Sequence, residues 1–331
     1  MSRIVFAGNI NVDSVKLLSD WPTNGMLVSV SGVKRSVGGS VSNTGIDLKT
    51  LDPNVEVAAF GKVGADEPGR FARDFLSSRG LDVSDVRMAT DAPTAAVDCL
   101  TLESTGERTF LFSRGAGALL SPEDFDVGAL RCDLFHLGYL LLLDGLDAAD
   151  PEYGTKAARL LAKVQAAGIR TSIDVVSLQT DRFKEIVRPA LKYCDYAVLN
   201  EIEASAATGI AASDMRGMSE SLKSLGVRDT VVIHRPEGSA ALDAAGRYVE
   251  VGSLELPQGW IVGATGAGDA FCAGMLYSFL KGMDAEAGMR LASCAAACNL
   301  SVADSVSGAR SLAETLALEG KFKRRNPCWS V

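Results

Sequence analysis

Short apolar runs that end in glycine, asparagine or aspartate turns, each followed by a helical pattern, recur along most of this chain, and they constrain its fold more than any other feature. Residues 4–7 (Ile-Val-Phe-Ala) lead into Gly8-Asn9-Ile10-Asn11-Val12-Asp13. Gly38-Gly39-Ser40-Val41-Ser42-Asn43 opens a helical pattern through about Leu51, and residues 55–60 precede Gly61-Lys62-Val63-Gly64 and a helix over 70–79. The pattern returns after a helix start at 121–124: a strand at 134–137, a helix over 152–167 closed by Gly168, a strand at 170–175 ending near Asp174, and a helix over 181–191. Residues 197–199 then end in Asn200-Glu201-Ile202-Glu203, and residues 230–234 in Arg235-Pro236-Glu237-Gly238. Two short strands at 239–243 and 248–251 come next, and a long Ala-rich helix spans about 284–303. Continuous apolar runs of this length suit strands buried on both faces, and strand–helix alternation makes a mostly parallel sheet flanked by helices. The expected architecture is α/β and doubly wound.

Two stretches break the alternation. Residues 14–37 carry short alternating runs interrupted by Trp21-Pro22 and Asn24-Gly25, and residues 95–102 and 108–113 form a hairpin across Glu103-Ser104-Thr105-Gly106-Glu107. Together, at about 14–37 and 92–115, they predict one small β-sheet inserted in two pieces into a single domain over 1–331, a length ample for one large core.

The charge balance excludes some partners. Lys and Arg number 33 against 41 Asp and Glu, a net charge of −8. The basic cluster Lys323-Arg324-Arg325 reads as a solvated tail, so neither nucleic acid nor an anionic membrane is an expected partner. The seven cysteines (Cys99, Cys132, Cys194, Cys272, Cys294, Cys298, Cys328) contain no C-x-x-C, and His136 and His234 are the only histidines, so zinc has few ligands to draw on. Unpaired cysteines read as small buried hydrophobes in a reducing compartment. The strand-like start lacks a signal-peptide pattern, and the longest apolar run, 137–143, is too short to span a bilayer. The expected location is cytoplasmic.

The chemistry concentrates late, in Gly263-Ala264-Thr265-Gly266-Ala267-Gly268-Asp269, where a glycine turn runs into an apolar helical stretch over 271–280. Glycines let backbone N–H groups approach an anion, and a helix N-terminus adds a positive dipole end. Asp269 would look into the same space. A carboxylate beside an anion cradle is repulsive unless a proton or metal enters, which points to chemistry on a phosphate; the alternative is an ordinary capping turn. Asn11 and Asp13 follow the carboxyl end of the first strand, where ligands bind in open α/β sheets. A nicotinamide site is set aside, because that strand end lacks G-x-G-x-x-G.

Taken in order, Gly38 to Asn43, Asn200 to Glu203 and Gly266 to Asp269 resemble the three motifs of the PfkB, or ribokinase, family of sugar and nucleoside kinases, and the resemblance covers nearly the whole chain, the β excursion matching that family's lid. The resemblance implies ATP and Mg²⁺ as cofactors and a small sugar or sugar-like acceptor phosphorylated on a hydroxyl, a primary one. It makes Asp269 the catalytic base and the backbone of Gly266, Ala267 and Gly268 the anion hole. Asn11, Asp13, Gly39 and Asn43 would bind the acceptor; Asn200, Glu203 and Thr265 would serve the triphosphate, with Glu203 holding Mg²⁺ through water; Gly238 and Asn299 would flank the nucleotide base. Helix-terminal placement is expected to depress the Asp269 pKa. Gly263 and Ala264 stand where the family usually has Asp-Thr, which puts activation by a monovalent cation in question, and Arg235 either reaches a phosphate or lies on the surface. Asp174 lacks the Asn and Arg that often follow it in sugar-specific members, since Val175, Val176 and Ser177 follow here. A nucleoside acceptor, with Trp21, Phe110 or Phe112 stacking from the lid, and a non-catalytic sugar- or nucleotide-binding protein are the alternatives. A small open lid should also seek cover, as in a homodimer joined through the lids.

Overall fold

The computed structural model describes residues 2–327; Cys328 lies outside them. Strand β1 (Arg3–Gly8) starts a large sheet, after which the chain leaves it to build β2 (Asn11–Leu18) and β3 (Val30–Gly38). It returns through α1 (Ser40–Leu51), β4 (Glu56–Gly64), α2 (Glu67–Ser78) and β5 (Asp82–Ala89), and leaves again for β6 (Ala95–Leu102) and β7 (Arg108–Ser113). The large sheet resumes with β8 (Leu134–Leu140), followed by α3 (Asp144–Asp147), the two-residue strands β9 (Ala149–Asp150) and β10 (Gly154–Thr155), and α4 (Lys156–Ala166). Next come β11 (Arg170–Val175), α5 (Phe183–Leu191), β12 (Tyr196–Asn200), α6 (Glu201–Thr208), α7 (Met215–Ser224) and β13 (Thr230–Arg235). Strands β14 (Gly238–Leu242) and β15 (Tyr248–Gly252) precede α8 (Ala267–Lys281), α9 (Ala285–Asn299), α10 (Leu312–Leu316) and α11 (Leu318–Lys321).

The large sheet has the order β15-β14-β13-β12-β11-β8-β1-β4-β5. It is parallel from β13 to β5 and antiparallel across β13, β14 and β15. Alternate residues of one strand feed separate cores on its two faces. Val5 and Ala7 join Phe135, Leu137, Leu160 and Ile186 on one side, and Ile4 and Phe6 join Val57, Leu48 and Met275 on the other. Each fully buried side chain of this size is worth about 1.5–3 kcal/mol, so two-sided burial explains why the strands read as unbroken apolar runs.

The four strands of the excursions form their own sheet, in the order β3-β2-β6-β7, with β2 parallel to β6 and the outer pairs antiparallel. It is rooted at the carboxyl end of β1 and at the start of α1, where Asn11 pairs with Gly38 and Ala95. Asp66 ties its second root down: the carboxylate accepts from Gly69 N at 2.9 Å as the α2 cap and from Thr94 N at 2.8 Å. That cap starts α2 at Glu67, ahead of the expected residue 70.

Other elements also differ from expectation. Strand β5 carries Asp82, Ser84, Asp85 and Arg87 on a half-exposed sheet edge and so lacks the apolar signature. Residues 122–124 make only a single 3₁₀ turn, closed by the reciprocal Ser121–Asp124 cap. Helix α9 stops at Asn299, where the amide turns aside to donate to the Ser305 carbonyl at 2.6 Å and folds the next loop back. No helix among the described residues is long and apolar enough to cross a membrane.

Candidate active site

The turn into α8 has the expected form. Gly266 is the helix N-cap with φ 83°, and a side chain there would meet the Ser305 carbonyl at 2.5 Å, so glycine is required on both counts. Ala267, Gly268 and Asp269 make up the first turn, whose N–H groups have no acceptor within the helix. Asp269 is buried, and its carboxylate is held by three donors from distant segments. Asn43 Nδ2 donates at 3.0 Å, Thr44 Oγ1 at 3.4 Å, and the Tyr139 hydroxyl donates to Oδ1.

The expected depression of the Asp269 pKa is overturned. Burial pushes it up to about 7 and the Asp174 carboxylate adds to the rise, while the bonds from Tyr139, Asn43 and Thr44 pull against both. A helix terminus is worth well under the cost of removing a carboxylate from water, so desolvation wins. The result is a carboxylate poised near neutral pH.

Two further acids face it. Asp174, at the end of β11, is approached by Ser40 Oγ at 3.4 Å and by His136 Nε2 at 3.5 Å. Glu203 is buried and pushed up to about 7, chiefly by burial, with Asp174 and Asp269 adding repulsion. Asn200 and Glu203 form a reciprocal capping box at the start of α6. Asn200 Oδ1 accepts from Glu203 N at 2.8 Å and Glu203 Oε2 from Asn200 N at 2.9 Å, and Ser177 bonds both side chains. Each Glu203 oxygen keeps a free lone pair. Asp174 ends β11 and Glu203 opens α6 after the neighbouring strand β12, so two acids stand at the ends of adjacent strands with the α8 carboxylate near enough to repel them.

On the other side of Asp269, Gly39 adopts φ 92°, and a Cβ there would lie 2.5 Å from the Asn9 carbonyl. A Cβ on Gly38 would lie 2.5 Å from Asp13 Oδ2. The two glycines let the backbone lie against a chain of polar side chains. Ser40 N donates to Asn9 Oδ1 at 3.2 Å, Asn9 Nδ2 to Asn11 Oδ1 at 3.2 Å, and Asn11 Nδ2 to Asp13 Oδ1 at 2.5 Å. Burial pushes the Asp13 pKa up to about 7, against the Asn11 bond that lowers it.

The structure therefore brings Asn11, Asp13, Gly39, Asn43, Asp269 and the Gly266–Gly268 turn into one neighbourhood, with Asn200 and Glu203 across the sheet. Asn43 bridges Asp269 and Ser305, whose hydroxyl donates to Asn43 Oδ1 at 3.0 Å. Asn299 is fully buried, where it supports the Ser305 loop, and offers no surface to a nucleotide base in this state. Gly238 begins β14 opposite Arg235. Arg235 donates to Glu237 at 2.6 Å. Thr265 accepts from Arg108 of β7 at 2.9 Å. Sequence reading missed Tyr139, Thr44, Ser305 and Arg108; Tyr139 alone left a signal, its place near the carboxyl end of a strand.

Comparison with known proteins follows this geometry. The family model of the pfkB family carbohydrate kinases matches residues 1–311. The ATP-dependent ribose-1-phosphate kinase of Halopiger xanaduensis is 28% identical over 299 residues, 90% of this chain and 91% of its own length. The aminoimidazole riboside kinase of Salmonella typhimurium is 27% identical over 251 residues, 74% of each chain. Among solved structures, Arabidopsis thaliana ribokinase complexed with ribose and ATP superposes with a TM-score of 0.79 at 21% identity, covering 96% of this chain and 99% of its own, a likeness of fold. A glycine turn feeding a buried aspartate, a small sheet over the strand ends and a match through residue 311 agree: this chain belongs to the pfkB family of carbohydrate kinases.

Proposed function

We propose that this chain is a single-domain, ATP- and Mg²⁺-dependent kinase that phosphorylates a hydroxyl, a primary one, of a sugar or sugar-like acceptor. The observation that carries the reading is the buried Asp269 carboxylate, poised near neutral pH and fixed by Asn43, Thr44 and Tyr139 at the open end of α8. Asn11, Asp13, Gly39 and Asn43 hold the acceptor's hydroxyls. Asp269 receives the proton of the attacking hydroxyl as its oxygen bonds to the γ-phosphorus and the bond from that phosphorus to the bridging oxygen breaks, releasing ADP. The N–H groups of Ala267 and Gly268 and the dipole of α8 stabilise charge on the phosphoryl group in flight, the kind of preorganised term that dominates such transfers. Glu203 and Asn200, with Asp174 facing them, would hold Mg²⁺ through water, and that ion supplies neutralisation of the triphosphate. Residues 11–38 and 95–113 act as a lid that excludes water from the transfer.

A nucleoside acceptor is the second reading. It draws support from Phe110 and Phe112, which share a lid face with Asp13, Val15, Val97 and Cys99. The same sheet exposes Leu17, Val33, Phe110 and Leu111, which supports pairing of two copies through their lids; a monomer by light scattering at micromolar concentration would exclude that. The free, mostly buried cysteines among the described residues fit a cytoplasmic enzyme.

The function is tested by ADP release with MgATP across sugars, sugar phosphates, sugar acids and nucleosides. One acceptor class should support turnover well above the acceptor-free rate. Binding of sugars or nucleotides with no acceptor-dependent turnover anywhere in the panel would favour a non-catalytic binding protein.

A further inference from the structure

His136 is fully buried in β8, and its Nε2 has no hydrogen-bond partner among the described residues. Register sets it between Phe6 of β1 and Ser172 of β11, and the ring meets Phe6 edge to face, with centroids 5.5 Å apart. Nδ1 is satisfied by Ser172 Oγ at 2.7 Å, whereas Nε2 stands 3.5 Å from Asp174 Oδ2. Hydrogen bonds of this kind run to about 3.2 Å, so the two atoms are neighbours without being bonded. Asp174 follows Ser172 by two residues and so shares its face of the sheet. Gly138 lets that carboxylate lie against β8, since a Cβ there would collide with Oδ1. Cys272, one turn along α8 from Asp269, comes to the same point: one ligand atom from each of His136, Asp174 and Cys272 lies within 4.8 Å of the other two, and all three residues are buried.

A buried imidazole nitrogen without a partner is a cost the fold carries unless a ligand takes it up. With Nδ1–H donating to Ser172, Nε2 presents a lone pair, and an outer oxygen of this kind is what orients ligating histidines. Tetrahedral zinc, with bonds of about 2.0–2.3 Å, sets its ligand atoms about 3.3–3.6 Å apart. The Nε2–Oδ2 separation already has that value, and the wider spread to Sγ closes with a shift of about 1 Å. Burial first, and then Asp174, Asp269 and Glu203, hold the Cys272 thiol pKa well above its usual value. A bound cation would displace that proton to solvent, and the same three carboxylates attract the cation. The scarcity of histidine argued against zinc, yet the fold sets one of the two beside an aspartate and a thiol.

We propose that His136, Asp174 and Cys272 form a site for one zinc-like divalent cation, inhibitory when filled. Asp174, at 6% exposure the least buried of the three, marks the way in from the cleft. Thiolate and imidazole select zinc over Mg²⁺, which keeps to oxygen ligands. A filled site puts two positive charges beside Asp269 and holds Asp174, which faces Glu203, so the base weakens and the acids expected around the triphosphate are drawn away. Only the inhibitory half rests on the kinase reading above.

The test is calorimetric titration with Zn²⁺, in the absence of Mg²⁺ and nucleotide, of the wild type, Cys272→Ala, His136→Gln and Cys294→Ala, beside melting curves. The wild type and Cys294→Ala, which alters a thiol outside the cluster, should bind alike. Loss of either ligand should weaken binding by at least about 10- to 100-fold, since removing an outer partner alone costs that much. Co²⁺ in place of zinc should give a thiolate-to-metal charge-transfer band in the near ultraviolet that Cys272→Ala lacks, which decides the matter even where His136→Gln fails to fold. With MgATP and an accepted acceptor, added Zn²⁺ should lower wild-type turnover in step with occupancy and leave Cys272→Ala at its zinc-free rate. No zinc binding by the wild type, or equal binding by the wild type and Cys272→Ala, would overturn the site. Equal inhibition of those two would put the effect at the Mg²⁺ or the nucleotide and overturn the inhibitory role. Absence of turnover in the zinc-free wild type would sink the kinase reading, and the titration would still decide the site.

Discussion

Replacing Tyr139 with phenylalanine tests whether the pH dependence of this site is set by one hydrogen bond. The Tyr139 hydroxyl donates to Asp269 Oδ1, and of the three side-chain donors it lowers that pKa most. A hydrogen bond to a charged group contributes about 1.5–3 kcal/mol, and one pKa unit corresponds to 1.36 kcal/mol, so its loss should raise the Asp269 pKa by about one to two units. A base works only when deprotonated, so activity climbs as pH rises through the folded pKa, near 7 in the wild type. Tyr139→Phe should shift that ascending limb of kcat/KM to higher pH by the same one to two units. Well below the limb, where each unit costs tenfold, the variant should run about 10- to 100-fold slower; on the alkaline plateau the two enzymes should converge. The assay is kcat/KM with the best acceptor from about pH 5.5 to pH 9.5, beside melting curves that confirm folding. A limb that stays in place in a fully folded variant would refute the reasoning, since Asp269 would then be either not the base or not tuned by Tyr139.

Two other positions give independent checks. Asp47 on α1 is buried with both carboxylate oxygens unpartnered, and burial, reinforced by Asp269 and Asp304, holds its pKa well above the usual range. A raised carboxylate pKa means the folded state holds the proton more tightly, so the stability it confers is full below the unfolded value and is lost as pH rises through the folded one. Asp47→Asn should therefore raise the melting temperature at alkaline pH and flatten its decline as pH rises above the ordinary carboxylate range, as calorimetry would read; a lower midpoint at every pH would mean an unseen partner for the carboxylate. Gly39→Ala must place a Cβ at φ 92° and 2.5 Å from the Asn9 carbonyl, which should cost more than the roughly 1–3 kcal/mol of backbone strain alone and weaken acceptor binding together with stability. Unchanged melting and unchanged acceptor KM in that variant would count against the cradle.

What could be read before the fold was known follows the range of the forces. Strands β1, β4, β11, β12 and β13 were legible because burial on both faces leaves continuous apolar runs, and the start of α8 was legible because a left-handed N-cap demands glycine. Strand β5 was not, because an edge position lets Asp82, Asp85 and Arg87 face water. The pKa of Asp269 was misread for a related reason. Its helix position is local and visible in sequence, whereas its burial depends on α1 and β8 closing over it, and burial is the larger effect. Tyr139 and Arg108 act across 130 and 157 residues, and no local pattern encodes such contacts.

The most direct test of the central claim is phosphorus NMR of the acceptor after incubation with MgATP, with wild-type enzyme and with Asp269→Asn. The account predicts a new phosphate ester that grows in step with ADP in the wild type and is reduced by at least about 10²–10⁴-fold without the base. An ester formed equally fast by the Asn variant would contradict the role of Asp269, and ADP formed without any ester would contradict transfer to a hydroxyl acceptor altogether.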